Sequence, residues 1–124
     1  MLNDLLKNVT TVYLAFGATD FRRQIKGLTE IIQGEHGMNP YEENTCYIFC
    51  NKKKTSIKIL CFDKNGFICA QKTVVDTNRF KWPRNEKELQ SITKQQLSWL
   101  LDGLEIYPKK YFKDVKITSD EIAI

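Results

Sequence analysis

The stretch from Cys46 to Pro83 constrains this chain more than any other. Cys46–Cys50 is apolar and strand-like, and Asn51-Lys52-Lys53-Lys54 follows as a basic loop. Thr55–Phe62 alternates as a second strand. Asp63-Lys64-Asn65-Gly66 places Asn-Gly where a hairpin needs residues that tolerate left-handed backbone, and Phe67–Val75 returns as a third strand. Arg79-Phe80-Lys81-Trp82 then interleaves cations with aromatics, an extended piece closed by Pro83. Such a run folds as an antiparallel sheet with positive charge carried on its loops. If Gly66 is the left-handed residue of a bulged turn, Asp63 faces Phe67, Lys58 faces Lys72 and Cys61 faces Cys69. Two lysines directly opposed repel each other, which a polyanion would relieve. A slip of one residue removes that pairing.

The charge is concentrated in this stretch. The 124-residue chain carries a net charge of +4. Between Cys46 and Lys87 stand ten cations (Lys52, Lys53, Lys54, Lys58, Lys64, Lys72, Arg79, Lys81, Arg84, Lys87) against Asp63, Asp76 and Glu86. That segment is therefore +7 and the remainder −3. An uneven distribution of this kind suits nucleic acid or an acidic partner.

The flanking segments supply the rest of one domain. Leu2, Leu5, Leu6 and Val9 fit one or two helical turns. Val12–Phe16 reads as a buried strand ending at Gly17. Thr19-Asp20 offers N-cap chemistry, and Phe21, Ile25, Leu28 and Ile32 recur at helical spacing, which predicts a helix over 20–34. Gly27, inside it, is expected to admit a neighbouring strand. Arg22 and Arg23 would sit in the first turn, against the helix dipole. Either Asp20 or another carboxylate resolves that conflict, or a bound anion does. Thr93-Lys94-Gln95-Gln96 is a capping box, and Leu97, Leu100, Leu101 and Leu104 form a stripe ending at Gly103, which predicts a helix over 94–102. The fold class is α+β: a single domain in which an antiparallel sheet centred on 46–75 is packed by two main helices. The domain is expected to span 1–106, with 107–124 an extension holding strand-like Tyr111-Phe112 and Val115-Lys116-Ile117.

Several function classes are disfavoured. Cys46, Cys50, Cys61 and Cys69 lack the knuckle spacing of a structural zinc site. On an extended strand, Cys46 and Cys50 lie about 13 Å apart, too far for one metal ion. They read as reduced core residues, and no metal or cofactor is expected. Asp20, Asp63 and Asp76 are scattered, His36 is the only histidine, and no glycine-rich phosphate loop is present. No catalytic residues are assigned. No run reaches the roughly eighteen apolar residues of a membrane span, and no secretion signal is apparent, so a cytoplasmic location is expected.

Four stretches in order resemble a known family. These are Val12-Tyr13-Leu14-Ala15-Phe16-Gly17-Ala18-Thr19-Asp20-Phe21-Arg22-Arg23 with Gly27-Leu28; Ile57 to Phe67; Arg79-Phe80-Lys81-Trp82-Pro83; and Gln95 to Leu104. Together they resemble the TnpB-type accessory protein, the second-reading-frame product, of the insertion-sequence sixty-six group. The resemblance implies a bacterial, mobile-element protein that serves DNA transposition beside a separate transposase, in a family without established catalytic residues. The chain departs from that pattern at Gln24, where relatives often carry glycine. It also has lysines where relatives often have arginines, which weakens any bidentate contact.

Two readings follow. In the first, Arg22, Arg23, Lys52, Lys53, Lys54, Lys58, Lys72, Arg79 and Lys81 neutralise the phosphates of transposon-end DNA, with little base readout. In the second, the protein is an adaptor that docks the transposase through Trp82 and Trp99.

Overall fold

A computed structural model describes residues 2–83 and 87–106. Arg84, Asn85 and Glu86, and the expected strand residues of 107–124, lie outside the described residues. The elements run α1 (Leu2–Leu5), β1 (Thr11–Ala15), α2 (Ile25–Glu30) continuing into a π turn (Ile31–Glu35), β2 (Thr45–Cys50), β3 (Ser56–Asp63), β4 (Gly66–Thr73), β5 (Leu89–Ile92) and α3 (Lys94–Leu101). Among the described residues five strands form one sheet in the order β4-β3-β2-β1-β5. It is an α+β domain, as the residue pattern predicts.

The sheet is mixed, which corrects the antiparallel expectation in one place. β1 and β2 pair in parallel, Val12 opposite Cys46 and Leu14 opposite Ile48. The helical crossover of α2 between them requires it, because a chain that leaves one end of a strand and returns through a helix enters the next strand in the same direction. The other three pairings are antiparallel. β5 is not visible in the residue pattern; Leu89-Gln90-Ser91-Ile92 acquires strand geometry by pairing with β1.

Both faces of the sheet are covered. On one face Leu28, Ile31 and Ile32 meet Ala15, Tyr47, Phe49 and Leu60. On the other Leu97, Leu100, Ile106, Phe80 and Trp82 meet Leu14, Ile48, Ile57 and Ile59. β2 is central and wholly buried. α3 starts with the expected reciprocal capping box: Gln96 N donates to Thr93 Oγ1 at 3.0 Å and Thr93 N to Gln96 Oε1 at 2.9 Å. It ends in a Schellman arrangement, with Leu104 N donating to Trp99 O and Gly103 N to Leu100 O, Gly103 taking φ +87°. Leu104 therefore leaves the apolar stripe and is 51% exposed.

The first long helix begins later than its spacing predicts, at Ile25, after Gln24. Asp20 is occupied locally: its Oδ1 accepts from Arg22 N at 2.9 Å and its carbonyl from Arg23 N at 3.0 Å, a turn that competes with helix. Ile25, expected in the core, is 37% exposed. Gly27 makes room for a side chain, not a strand. A Cβ there would lie 2.9 Å from Arg23 Cβ.

The β3–β4 hairpin closes one residue tighter than expected. Asp63 pairs with Gly66 across a two-residue turn, and Lys64 takes the left-handed seat at φ +56°. Lys58 consequently faces Gln71, Lys72 faces Ile57, and Cys61 faces Ile68, so the opposed lysine pair does not exist. The register of β2 against β3 sets Cys46 opposite Cys61, and the two are joined in a disulfide with Cα atoms 4.7 Å apart. This corrects the reading of all four cysteines as reduced. Cys50, which is buried, and Cys69, which is exposed, lie outside this bond.

Candidate nucleic-acid interface

Parallel pairing of β1 and β2 has a direct consequence for the cations. Both strands finish at the same end of the sheet, β3 starts there, and β4 finishes there. Three loops therefore emerge together: residues 16–24, 51–55 and 74–83. Backbone hydrogen bonds lock them to one another. Thr19 N donates to Cys50 O at 2.8 Å, Phe80 N to Lys54 O at 2.8 Å, Gly17 N to Pro83 O at 2.9 Å and Val74 N to Thr55 O at 2.9 Å.

The lysine loop is shaped by Asn51. Its Oδ1 accepts from Thr55 N at 2.9 Å and Ser56 N at 3.1 Å, and its Nδ2 donates to Thr55 Oγ1 at 2.9 Å. Lys54 closes the loop at φ +62° with its N–H on Asn51 O. Lys52 and Lys53 stand exposed at the tip, and Lys54 is half-buried. In the 79–83 segment the alternation holds: Arg79 and Lys81 point out, Phe80 and Trp82 point in. Trp82 Nε1 donates to Ala15 O at 2.8 Å, which fastens the segment to the end of β1. Arg79 Nη1 donates to Asn78 O at 2.6 Å within its own loop.

Asp20 answers for Arg22. The guanidinium reaches the carboxylate through Nη2 at 2.7 Å and through Nε at 3.1 Å to each oxygen. The Arg22 side chain, and next its backbone N–H, hold the Asp20 carboxyl down at about 2; the Arg22 pKa is raised in return. Because α2 begins only at Ile25, Arg22 and Arg23 lie ahead of it rather than in its first turn, and Arg22 is paired with Asp20. Arg23 is exposed and makes a 3.4 Å contact to Gly27 O.

Lys58 and Lys72 play different parts. Lys58 Nζ donates to Phe21 O at 3.2 Å and Arg23 O at 3.0 Å and lies 4.9 Å from the Phe21 ring centre. It shapes the arginine loop from beneath. Lys72 lies on the other sheet face, where its Nζ donates to Leu101 O at 3.4 Å at the end of α3, a favourable place for a cation. The structure thus brings Arg22, Arg23, Lys52, Lys53, Lys54, Arg79 and Lys81 to one end, and leaves Lys58 and Lys72 on the two faces. Lys26, exposed in the first turn of α2, joins the same end; only the late helix start places it there.

Among the described residues the acids near these loops are Asp20, Asp76, Glu88 and Asp102, the last lining the same hollow as Arg79 and Lys81. At the opposite end, around the starts of β1 and β2 and the close of β3, stand Asp4, Glu42, Glu43 and Asp63, with Lys64 in the β3–β4 turn beside them. The charge asymmetry of the sequence is therefore an asymmetry in space, running along the strands.

The two tryptophans do not make a joint docking surface. Trp82 is 4% exposed and belongs to the core, so it is not available as a partner anchor in the folded chain. Trp99 is half-buried on α3. Asp20 and Asp63 lie at opposite ends of the sheet, and among the described residues no three His, Cys, Asp or Glu side chains group as a metal site. No helix of the described residues is long and apolar enough to cross a membrane.

Residues 10–111 match the family model described as IS66 Orf2 like protein. The chain belongs to the IS66 Orf2-like family. The match covers all three loops of the cationic end and every strand. An IS66 Orf2-like protein is an insertion-sequence product, so this chain is associated with transposition. A protein of Sinorhizobium fredii, named only as uncharacterized protein y4hO, is 29% identical over 107 residues, covering 86% of this chain and 91% of that one. No solved structure matches the chain.

Proposed function

We propose that this IS66 Orf2-like protein is a non-enzymatic accessory factor that binds the DNA of its element's ends through the cationic end of the sheet, working beside the element's transposase in the bacterial cytoplasm. The observation that carries the reading is the convergence of three cation-bearing loops, held together by four backbone hydrogen bonds. Lys52 and Lys53 at the tip, with Arg23, Arg79 and Lys81 around it, present guanidinium and ammonium groups suited to phosphate oxygens. They come from three separate segments, which suits an extended polyanion such as a duplex backbone. Lysine predominates over arginine, so the contacts position the protein on DNA and carry little sequence information. Lys58 and Lys72 contribute to shape rather than to contact. Residues 1–106 form the accessory domain in this reading, closed by the buried Ile106, and 107–124 extend from it.

The adaptor reading receives no comparable support, because Trp82 is used internally. The test is fluorescence anisotropy with a duplex from the element's ends at low salt. Replacing Lys53, Arg79 and Lys81 together by Ala should weaken binding by roughly tenfold or more, since each lost phosphate contact removes counterion release. Lys64→Ala, at the opposite end of the sheet, should change little. Equal effects from the two ends, or none from the triple variant, would remove the support for this assignment.

A further inference from the structure

The sheet has an edge that nothing among the described residues covers. β4 is eight residues long and pairs only with β3. Val74 N donates to Thr55 O just beyond the strand end, which fixes the parity of the ladder. Even-numbered residues of β4 bond inward to β3, and Phe67, Cys69, Gln71 and Thr73 turn their N–H and C=O groups outward. The usual protections are missing. Gly66-Phe67-Ile68-Cys69-Ala70-Gln71 contains no charge and no proline. Ile68 is 41% exposed, and Cys69 is exposed.

We infer that β4 is the pairing edge of a two-fold homodimer, in which β4 of one copy adds antiparallel to β4 of a second and makes a continuous ten-stranded sheet. A self-pairing strand must match outward-facing residues to outward-facing residues. Centring the two-fold axis on Cys69 does so: Cys69 meets Cys69 of the second copy, and Phe67 meets Gln71. On the α3 face the same register sets Ile68 against Ala70 and Lys72 against Gly66. Gly66 has no side chain, and its neighbour on β3 is Asp63 on the same face. Lys72, whose Nζ lies 3.4 Å from Leu101 O in the single chain, can exchange that contact for Asp63 of the second copy across the glycine, two strand spacings or about 10 Å away at the backbone. The pair occurs twice by symmetry. This charge match is what selects a second copy of this chain as the occupant: an edge that is neutral in its middle, with a cation near one end and an acid near the other, is complementary to itself when reversed. The dimer leaves both cationic ends free, so it stands or falls separately from the DNA reading.

The experiment is light scattering coupled to size exclusion, or sedimentation, on the full chain over a concentration series, with hydrogen exchange of β4 amides. The expected result is a dimer, with the Cys69 and Gln71 amides protected in it. Cys69→Pro removes an outward N–H without touching the β3 ladder and should give a monomer with unchanged circular dichroism. Lys72→Asp and Asp63→Lys singly should each weaken dimerisation by roughly tenfold, and the double swap should restore it. A monomer at all concentrations overturns the inference. So does a monomer whose Cys69 and Gln71 amides are nonetheless protected, which would assign the edge to residues 107–124. A dimer indifferent to Cys69→Pro and to both single swaps also overturns it.

Discussion

Trp82→Phe probes how the cationic end is held. The indole N–H reaches Ala15 O at 2.8 Å from 67 residues away, and both groups lie inside the fold. Phenylalanine keeps an aromatic body but leaves that carbonyl without its donor, which costs about 1–3 kcal/mol. The smaller ring also leaves a void in the core cluster to which Trp82 belongs, for about a further 1 kcal/mol. The sum, about 2–4 kcal/mol, is a large share of the stability of a domain this size. Urea unfolding followed by far-ultraviolet circular dichroism should show the midpoint falling by roughly 1–2 M. Trypsin should also cut faster after Arg79 and Lys81 in the folded variant, because the indole fastens their segment to β1. A surface tryptophan kept for a partner behaves otherwise: its replacement stays within about 0.5 kcal/mol. A loss that small, with unchanged proteolysis, would refute the internal role given to Trp82.

Three further outcomes follow from the same geometry. Lys58→Met removes the ammonium that two carbonyls of the arginine loop share, so tryptic cleavage after Arg22 and Arg23 should accelerate while the salt dependence of DNA binding keeps its slope. An altered slope with normal proteolysis would make Lys58 a phosphate contact instead. Asp20 has its pKa lowered from 3.8 to about 2 by Arg22; a depressed carboxylate gives its contribution above its unfolded value and loses it as pH falls. The Arg22 Nε–H resonance should therefore hold its bonded shift at neutral pH and lose it on acidification through about pH 2; loss above pH 4 would contradict the ion pair. Replacing Cys46 and Cys61 together by Ser opens a link across a sequence separation of 15 and should cost about 3 kcal/mol in urea unfolding, the loop-entropy expectation. An unchanged midpoint, or two free thiols at these positions by mass spectrometry under non-reducing conditions, would contradict the bond.

The residue pattern conveys the central strands because a period of two and an Asn-Gly turn leave little choice over 46–73. It misses the register by one because the left-handed seat is taken by Lys64, which no turn preference selects over Asn65 or Gly66. That single slip hides the true neighbours of Lys58, Cys61 and Lys72. The disulfide is hidden for a related reason: Cys46 and Cys61 become opposite only through the pairing of β2 with β3. The late start of α2 is hidden by a local contest, in which Asp20 bonds Arg22 rather than capping a helix. The candidate site is legible as a count of charges, and the lysine loop after Cys50 lies where the residues predict it; residues 20–24, expected as helix, are a loop instead. Which cations are tethered was not legible, because Lys58 and Lys72 are held by carbonyls of segments far away in the chain.

The claim on which the account rests is that one end of the sheet neutralises several DNA phosphates at once. The direct measurement is the dissociation constant of the full chain for an element-end duplex between about 50 and 200 mM salt, plotted logarithmically. Engagement of six or more phosphates predicts a steep linear dependence and a loss of affinity of roughly a thousandfold or more over that range. A flat dependence, or no binding at the lowest salt, would contradict it.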